Sequence, residues 1–167
     1  MASGHCHDKL TIWLTLPIGI ISWPWVGSTG AVVAAISFLL GGLLLSPDLD
    51  VQSNASRRWG FFQWLWWPYR RLTPHRSLMS HSPLLGSVGR ITYLTCLIIA
   101  FSVLLIPFEF NLLQRLWSVA RIAWEQQRAL VLVSIAGVEA SSLLHLIQDG
   151  YLWPKYKKRH RLGRKRP

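Results

Sequence analysis

Residues 10–47 read LTIWLTLPIGIISWPWVGSTGAVVAAISFLLGGLLLSP, 38 residues without one Asp, Glu, Lys, Arg or His. A bilayer crossing takes a helix of roughly 20 residues, so the run is too long for one span and long enough for two. Pro24, Gly27 and Ser28 sit near its middle, where proline removes a helical hydrogen bond and glycine admits turn backbone. The run therefore predicts a helical hairpin over about 10–26 and 29–46. A third uncharged run covers 91–108, and a fourth, 129–147, carries Glu139 and His145 but is otherwise apolar. The expected fold is all-α, an integral membrane four-helix bundle. The first segment also has the length of a signal-peptide core. Its front carries only Lys9 as a firm charge, however, and the hairpin partner follows too closely for a processed secretory protein.

Composition agrees with that reading. The chain has 167 residues, the length of one domain, yet its mean hydropathy is +0.29 and it carries ten Trp, which speaks against an ordinary soluble protein. Residues 1–154 form the expected membrane domain and 155–167 a basic, disordered tail. The formal net charge is +11, and its placement sets the topology. With four crossings, the N-terminus, the loop over 47–90 and the tail share one side. That side holds Lys9, six Arg (57, 58, 70, 71, 76 and 90) and eight Lys or Arg after residue 154, 15 of the 18 basic residues. Arg115, Arg121 and Arg128 fall on the other side. The positive-inside rule then predicts a multi-pass protein of the bacterial inner membrane with both termini cytoplasmic.

On that same side lie four clusters that together hold all four Asp and five of the six His. They are His5-Cys6-His7-Asp8, Asp48-Leu49-Asp50, His75 to His81, and His145 with Asp149. Imidazole nitrogen and carboxylate oxygen are ligands of zinc, manganese and iron(II). His145 and Asp149 are four apart, hence on one helical face, and Gly150 ends that helix. Asp48 and Asp50 follow Pro47, so an extended turn that faces both alike is expected; an Asx-turn or cap explains one of them well and both less well. His75 and His81 follow Thr73-Pro74, a helix-start signal. Six residues apart, they require either a bend or two different ions. His5 and His7 alternate onto one side of an extended segment, and His7 stands ahead of His5 because it lies nearer the membrane surface. Asp8 reads as a ligand neighbour or as an N-cap.

Other residues are candidates for chemistry around such an ion. Arg76 suits a substrate phosphate or carboxylate, with lipid contact as the plain alternative. Glu139, near mid-helix, is a candidate general base, a partner for a ligating imidazole, or a protonated acid bonded to Ser141 or Ser142. Cys6 would point away from its neighbouring histidines, and Cys96 is an apolar filler in the third helix. A disulfide framework is excluded in a reducing cytoplasm. Residues 57–71 form an aromatic block bracketed by Arg pairs, expected to lie in the cytoplasmic interface as an anchor or as a lip guiding a lipid-like substrate. The tail, with His160, reads as a topology determinant and anionic-lipid contact ahead of a nucleic-acid contact.

Taken in order, His5-x-His7-Asp8, Pro47-Asp48-x-Asp50, His75-Arg76-Ser-x3-His81-Ser82-Pro83 and Glu139-x5-His145-x3-Asp149 resemble a family of small bacterial membrane proteins labelled metal-binding and without an established function. The pattern is also similar to the YdjM-like membrane-bound, metal-dependent hydrolases. More distantly it is similar to the zinc-dependent phospholipase C and P1 nuclease superfamily. The resemblance implies metal ligands among His7, Asp48, Asp50, His75, His81, His145 and Asp149, and a phosphoester substrate. The chain departs from the phospholipases in being mostly membrane helix, in being shorter, and in having one His-x3-Asp pair of the helical kind. The expected function is thus metal-assisted hydrolysis of a phosphoester or ester by one or two divalent ions, zinc ahead of manganese or iron. The alternatives are a non-enzymatic metalloprotein (structural, sensing or storage) and a membrane-tethered adaptor working through its basic tail.

Overall fold

In the computed structural model of this protein, residues 4–75, 77–105 and 112–150 are described. All regular elements among them are helical, as the apolar runs predict. Helix α1 (Gly4–Leu44) contains one non-helical residue, Gly27, at φ 68°, a left-handed value that glycine tolerates and L side chains resist. With Pro24 three residues earlier, this folds α1 back on itself. Gly19 then lies against Ala31 and Ala35, and Gly42 against Thr11, so the two arms run antiparallel as the predicted hairpin.

A 3-10 helix, Pro47–Asp50, follows α1. Next come the short helix α2 (Asn54–Arg58), a second 3-10 helix Gly60–Leu65, α3 (Trp66–Leu72) and α4 (Leu78–His81). The long helices α5 (Leu85–Leu104), α6 (Leu112–Gln126) and α7 (Arg128–Gln148) complete the order. Helix α7 packs along the α1 hairpin through small residues. A Cβ on Gly137 would stand 2.9 Å from both the Ala34 carbonyl oxygen and Ser37 Cβ, which is how the two backbones approach closely. Helix α5 joins this three-helix layer at its N-terminal turns, where Ser87 Oγ lies 3.1 Å from Ser142 Oγ. Further along α5, Ile98, Ile99, Phe101, Val103 and Leu104 are exposed. Among the described residues, three stretches are long and apolar enough to cross a membrane: Gly4–Asp50, which includes both hairpin arms, Leu85–Leu104 and Arg128–Gln148.

Several boundaries differ from expectation. The N-terminal His/Asp cluster is helical, because α1 begins at Gly4; Asp8 is therefore no N-cap. The third long helix starts at Leu85 instead of 91. The charge of Arg90 does not interrupt it, since the guanidinium folds inward onto Ser80 O, Ser87 Oγ and Ser142 Oγ; residues 106–108 of the expected span lie outside the described residues. Thr73 closes α3, its Oγ1 donating to Tyr69 O at 2.6 Å, and does not open the next helix. Helix α6 lies outside the four uncharged runs. Its stripe Gln114, Ser118, Arg121 and Glu125 opposes an exposed stripe of Leu113, Leu116, Trp117 and Trp124, the pattern of an interfacial helix.

Candidate metal centre

Pro47–Asp50 positions the first donors. Ser46 Oγ accepts from Asp48 N at 3.4 Å and proline occupies the first position of the turn, so the segment winds into a 3-10 helix rather than an extended turn. At three residues per turn, Asp48 and Asp50 cannot face alike. Between them Leu49 is fully buried in a cluster with Ala55, Trp66 and Tyr69, which fixes the turn.

Asp48 points at the end of α7. His145 Nε2 lies 3.3 Å from Asp48 Oδ1 and 3.8 Å from Asp149 Oδ2. His81 Nε2 stands 3.7 Å from the same Asp48 oxygen. Single donor atoms of Asp48, His81, His145 and Asp149 all fall within 4.8 Å of one another. These separations are of the order set by one small divalent ion, whose bonds of about 2.0–2.1 Å would place neighbouring donors roughly 3.3 Å apart. His145 Nε2 is buried without a hydrogen bond, although carboxylate oxygens surround it. A coordinating cation accounts for that atom; a hydrogen-bonded core histidine would not leave it so. The residues therefore fit a divalent metal.

The remaining histidines occupy distinct places. His7 Nε2 lies 3.3 Å from Asp149 Oδ1, and its ring stacks on His145 with centroids 4.0 Å apart. His7 thus closes one side of the centre. His5, two residues earlier on α1, is exposed and is not among the converging donors. Asp8 turns from the centre to Arg58, 2.6 Å away, and to Asn54 Nδ2, which donates to it at 3.1 Å. The chain bends between His75 and His81, so both face Asp50. Asp50 Oδ1 is 3.0 Å from His75 Nδ1, and Oδ2 is 3.5 Å from His81 Nδ1. This is the arrangement of a carboxylate orienting a ligating imidazole. Asp50, His75 and His81 also form a second triplet of adjacent donors. Burial opposes charge on His81, but the hydrogen-bonding and coulombic pull of Asp48 and Asp50 outweighs it and pushes its pKa up to about 9.

Sequence reasoning leaves three contributors unremarked. Ser46 Oγ sits 3.4 Å from His145 Nδ1 and sets that ring. Arg90, 1% exposed, ties the carbonyl of Ser80, next to His81, to Ser142 on the ligand-bearing helix at 3.1 and 2.9 Å. A neutral serine and a loop-edge arginine carry no local signal of such roles. The third is a role and not a residue: Glu139 accepts a 2.8 Å hydrogen bond from Leu84 N, bracing the strained entry to α5, where Leu84 has φ 61°. Arg76 and the basic tail lie outside the described residues. A cavity of about 20 Å³ adjoins the donors, lined by His7, Ser46, Asp48 and His145 and, toward the surface, by Asp8, Ser53 and Asn54. That volume admits a single water.

Residues 2–160 match the model of a family described as uncharacterized metal-binding protein (DUF2227). The chain belongs to this family. Over 60 residues it is 43% identical to an uncharacterized protein of Aquifex aeolicus (strain VF5), covering 35% of this chain and 42% of that relative's length. No solved structure matches. The family thus shares its metal-binding description with the geometry above, and neither carries a named reaction.

Proposed function

We propose that this protein is a membrane-embedded metalloprotein whose cytoplasmic-face centre hydrolyses a phosphoester or ester, with zinc as the resident ion. The observation that carries the reading is the water-sized cavity lined by Asp48 and His145, two of the four converging donors. A purely structural metal site is closed, whereas a catalytic one keeps a position open. Asp48, His81, His145 and Asp149 would hold the ion. A divalent ion held there would supply Lewis acidity toward a bound water and a phosphoryl or acyl oxygen. Ser46 and Asp50 fix the rings of His145 and His81 in the orientation that presents Nε2. His7 and the Asp8–Arg58 pair cover the centre from the N-terminal side and limit water access. The order of the motifs, which resembles that of membrane-bound metal-dependent hydrolases, supports the same reaction class.

A second reading has its own support. The donors come from the 3-10 turn, α4 and the end of α7, so an ion would staple three separate segments, and a non-enzymatic metalloprotein needs nothing further. Purification in mild detergent with elemental analysis tests the shared premise. We expect about one ion per chain for wild type and less than about a tenth of that for His145→Ala. A panel of phosphoesters and esters then separates the readings. Turnover that disappears in His145→Ala supports the hydrolase; metal-loaded wild type no faster than the mutant leaves the staple.

A further inference from the structure

Between Asp50 and Glu109 the chain has no acidic residue and six arginines. Within this stretch, Phe61 is 82% exposed, and Phe62, Trp64 and Trp67 are each more than half exposed. They sit on the Gly60–Leu65 3-10 helix and the first turn of α3. The opposite side of the same segment is well anchored: Trp66 and Tyr69 are buried against Leu49 and Ala55, with Tyr93 and Leu94 of α5 packed on them. These aromatics are thus exposed on a fixed support. Arg57, Arg58 and Arg71 are exposed beside them, and the Arg71 guanidinium lies 4.9 Å over the Trp67 ring, which keeps charge and aromatic surface on one face.

The height of the segment is set by its hydrogen bonds. Arg58 Nη1 donates to Leu43 O and Trp59 Nε1 to Leu44 O, the last turn of α1. The Tyr93 hydroxyl donates to Leu65 O, and Tyr93 lies about 12 Å along α5 from Leu85 at 1.5 Å per residue. The segment is therefore tied partway along α5 and, through Arg58 and Trp59, at the last turn of α1, the level where that apolar helix stops. Trp and Tyr partition to that level of a bilayer, and arginine pairs with lipid phosphate there. A second copy of the chain is a poor occupant, because a two-fold contact would set this wholly cationic surface against itself.

We propose that the exposed face of residues 57–72 docks in the headgroup layer of an anionic leaflet, its aromatic rings among the upper acyl carbons and Arg57, Arg70 and Arg71 on lipid phosphates. The proposal rests on the membrane-spanning reading of the long helices. Through Leu49, docking also fixes the Asp48–Asp50 turn at the leaflet surface.

The test uses the full chain with Cys6→Ser and Cys96→Ser and one new cysteine, at Phe61→Cys, Trp64→Cys or the exposed reference Gln52→Cys. Each is reconstituted into vesicles of phosphatidylcholine, with or without phosphatidylglycerol, and treated with a water-soluble maleimide. In anionic vesicles the Phe61 and Trp64 positions are expected to react at least about tenfold more slowly than Gln52. Neutral lipid, or Arg57→Glu, Arg70→Glu and Arg71→Glu together, should remove most of that protection. Full reactivity at Phe61 and Trp64 in protein that resists alkaline carbonate overturns the docking and leaves the spanning helices intact. Release by carbonate overturns the spanning helices and the docking with them. Equal protection in neutral and anionic lipid overturns the role of the arginines and so the proposal. Protection that vanishes when the protein is diluted into more lipid assigns the face to another copy and overturns it as well.

Discussion

His81 is the residue on which the electrostatics of the centre turn. Its pKa, raised to about 9 from 6.5 by Asp48 and Asp50 against the cost of burial, keeps a proton on the ring at neutral pH. A folded pKa above the unfolded value means that this proton stabilises the metal-free protein fully below pH 6.5, and that the stabilisation fades as pH rises through 9. An ion must displace the proton. Metal affinity is therefore expected to rise about tenfold per pH unit between pH 7 and 8 and to level off above 9; titration calorimetry in buffers of different ionisation heat would read about one proton released per ion. Asp50→Asn should weaken binding by about 10–100-fold without halving the metal content if Asp50 only orients His81. A fall from two ions to one would make Asp50 a ligand of a second ion. Much at this scale is legible in residue spacing alone. The i,i+4 spacing of His145 and Asp149 places them on one face without any tertiary information. The divergence of Asp48 from Asp50 was not readable, because it depends on Ser46 and Pro47 winding the turn to three residues per revolution. Nor was the exposure of His5 beside the burial of His7, which follows from the helix reaching back to Gly4.

At the scale of elements, close approach of α7 to the α1 hairpin carries the site. Gly137→Val would drive its side chain into the Ala34 carbonyl and Ser37. Backbone cannot yield as a flexible side chain can, so the helices must separate, at a cost of roughly 1–3 kcal/mol. The expected outcome is a lower thermal midpoint in detergent together with weaker metal binding, because His145 and Asp149 move with α7 while Asp48 stays with the turn. The hairpin and α7 were legible as uncharged runs, and the break at Gly27 as a Pro-Gly interruption. The early start of α5 was hidden because Arg90 is a charge in an apolar helix, and only its serine and carbonyl partners make it compatible with burial. Helix α6 is hidden from hydropathy because its apolar residues are interleaved with Gln114, Arg115, Ser118 and Arg121; periodicity at 3.6 residues reveals it.

At the scale of the whole molecule, the long helices bury little of their surface: the apolar windows of Gly4–Asp50 and Arg128–Gln148 are each 28% buried and that of Leu85–Leu104 17%. Packing within the chain leaves much stability to be supplied by what binds it. Stripping metal with a chelator should lower the thermal midpoint, and restoring free ion at about 1,000 times its dissociation constant should return about 4 kcal/mol; a midpoint unchanged by chelation would argue against an ion bridging these segments. The donors also have an order along the chain: His7 and Asp48 come early, His81 midway, and His145 and Asp149 last. A ribosome releases the first half of the centre long before the second. Until α7 has emerged and folded back onto the hairpin, the nascent protein offers the four-donor centre only Asp48 and His81, with His7 beside them. Loading of the four-donor centre is therefore a late event in biogenesis, and a chain arrested ahead of residue 145 should lack the ion of that centre.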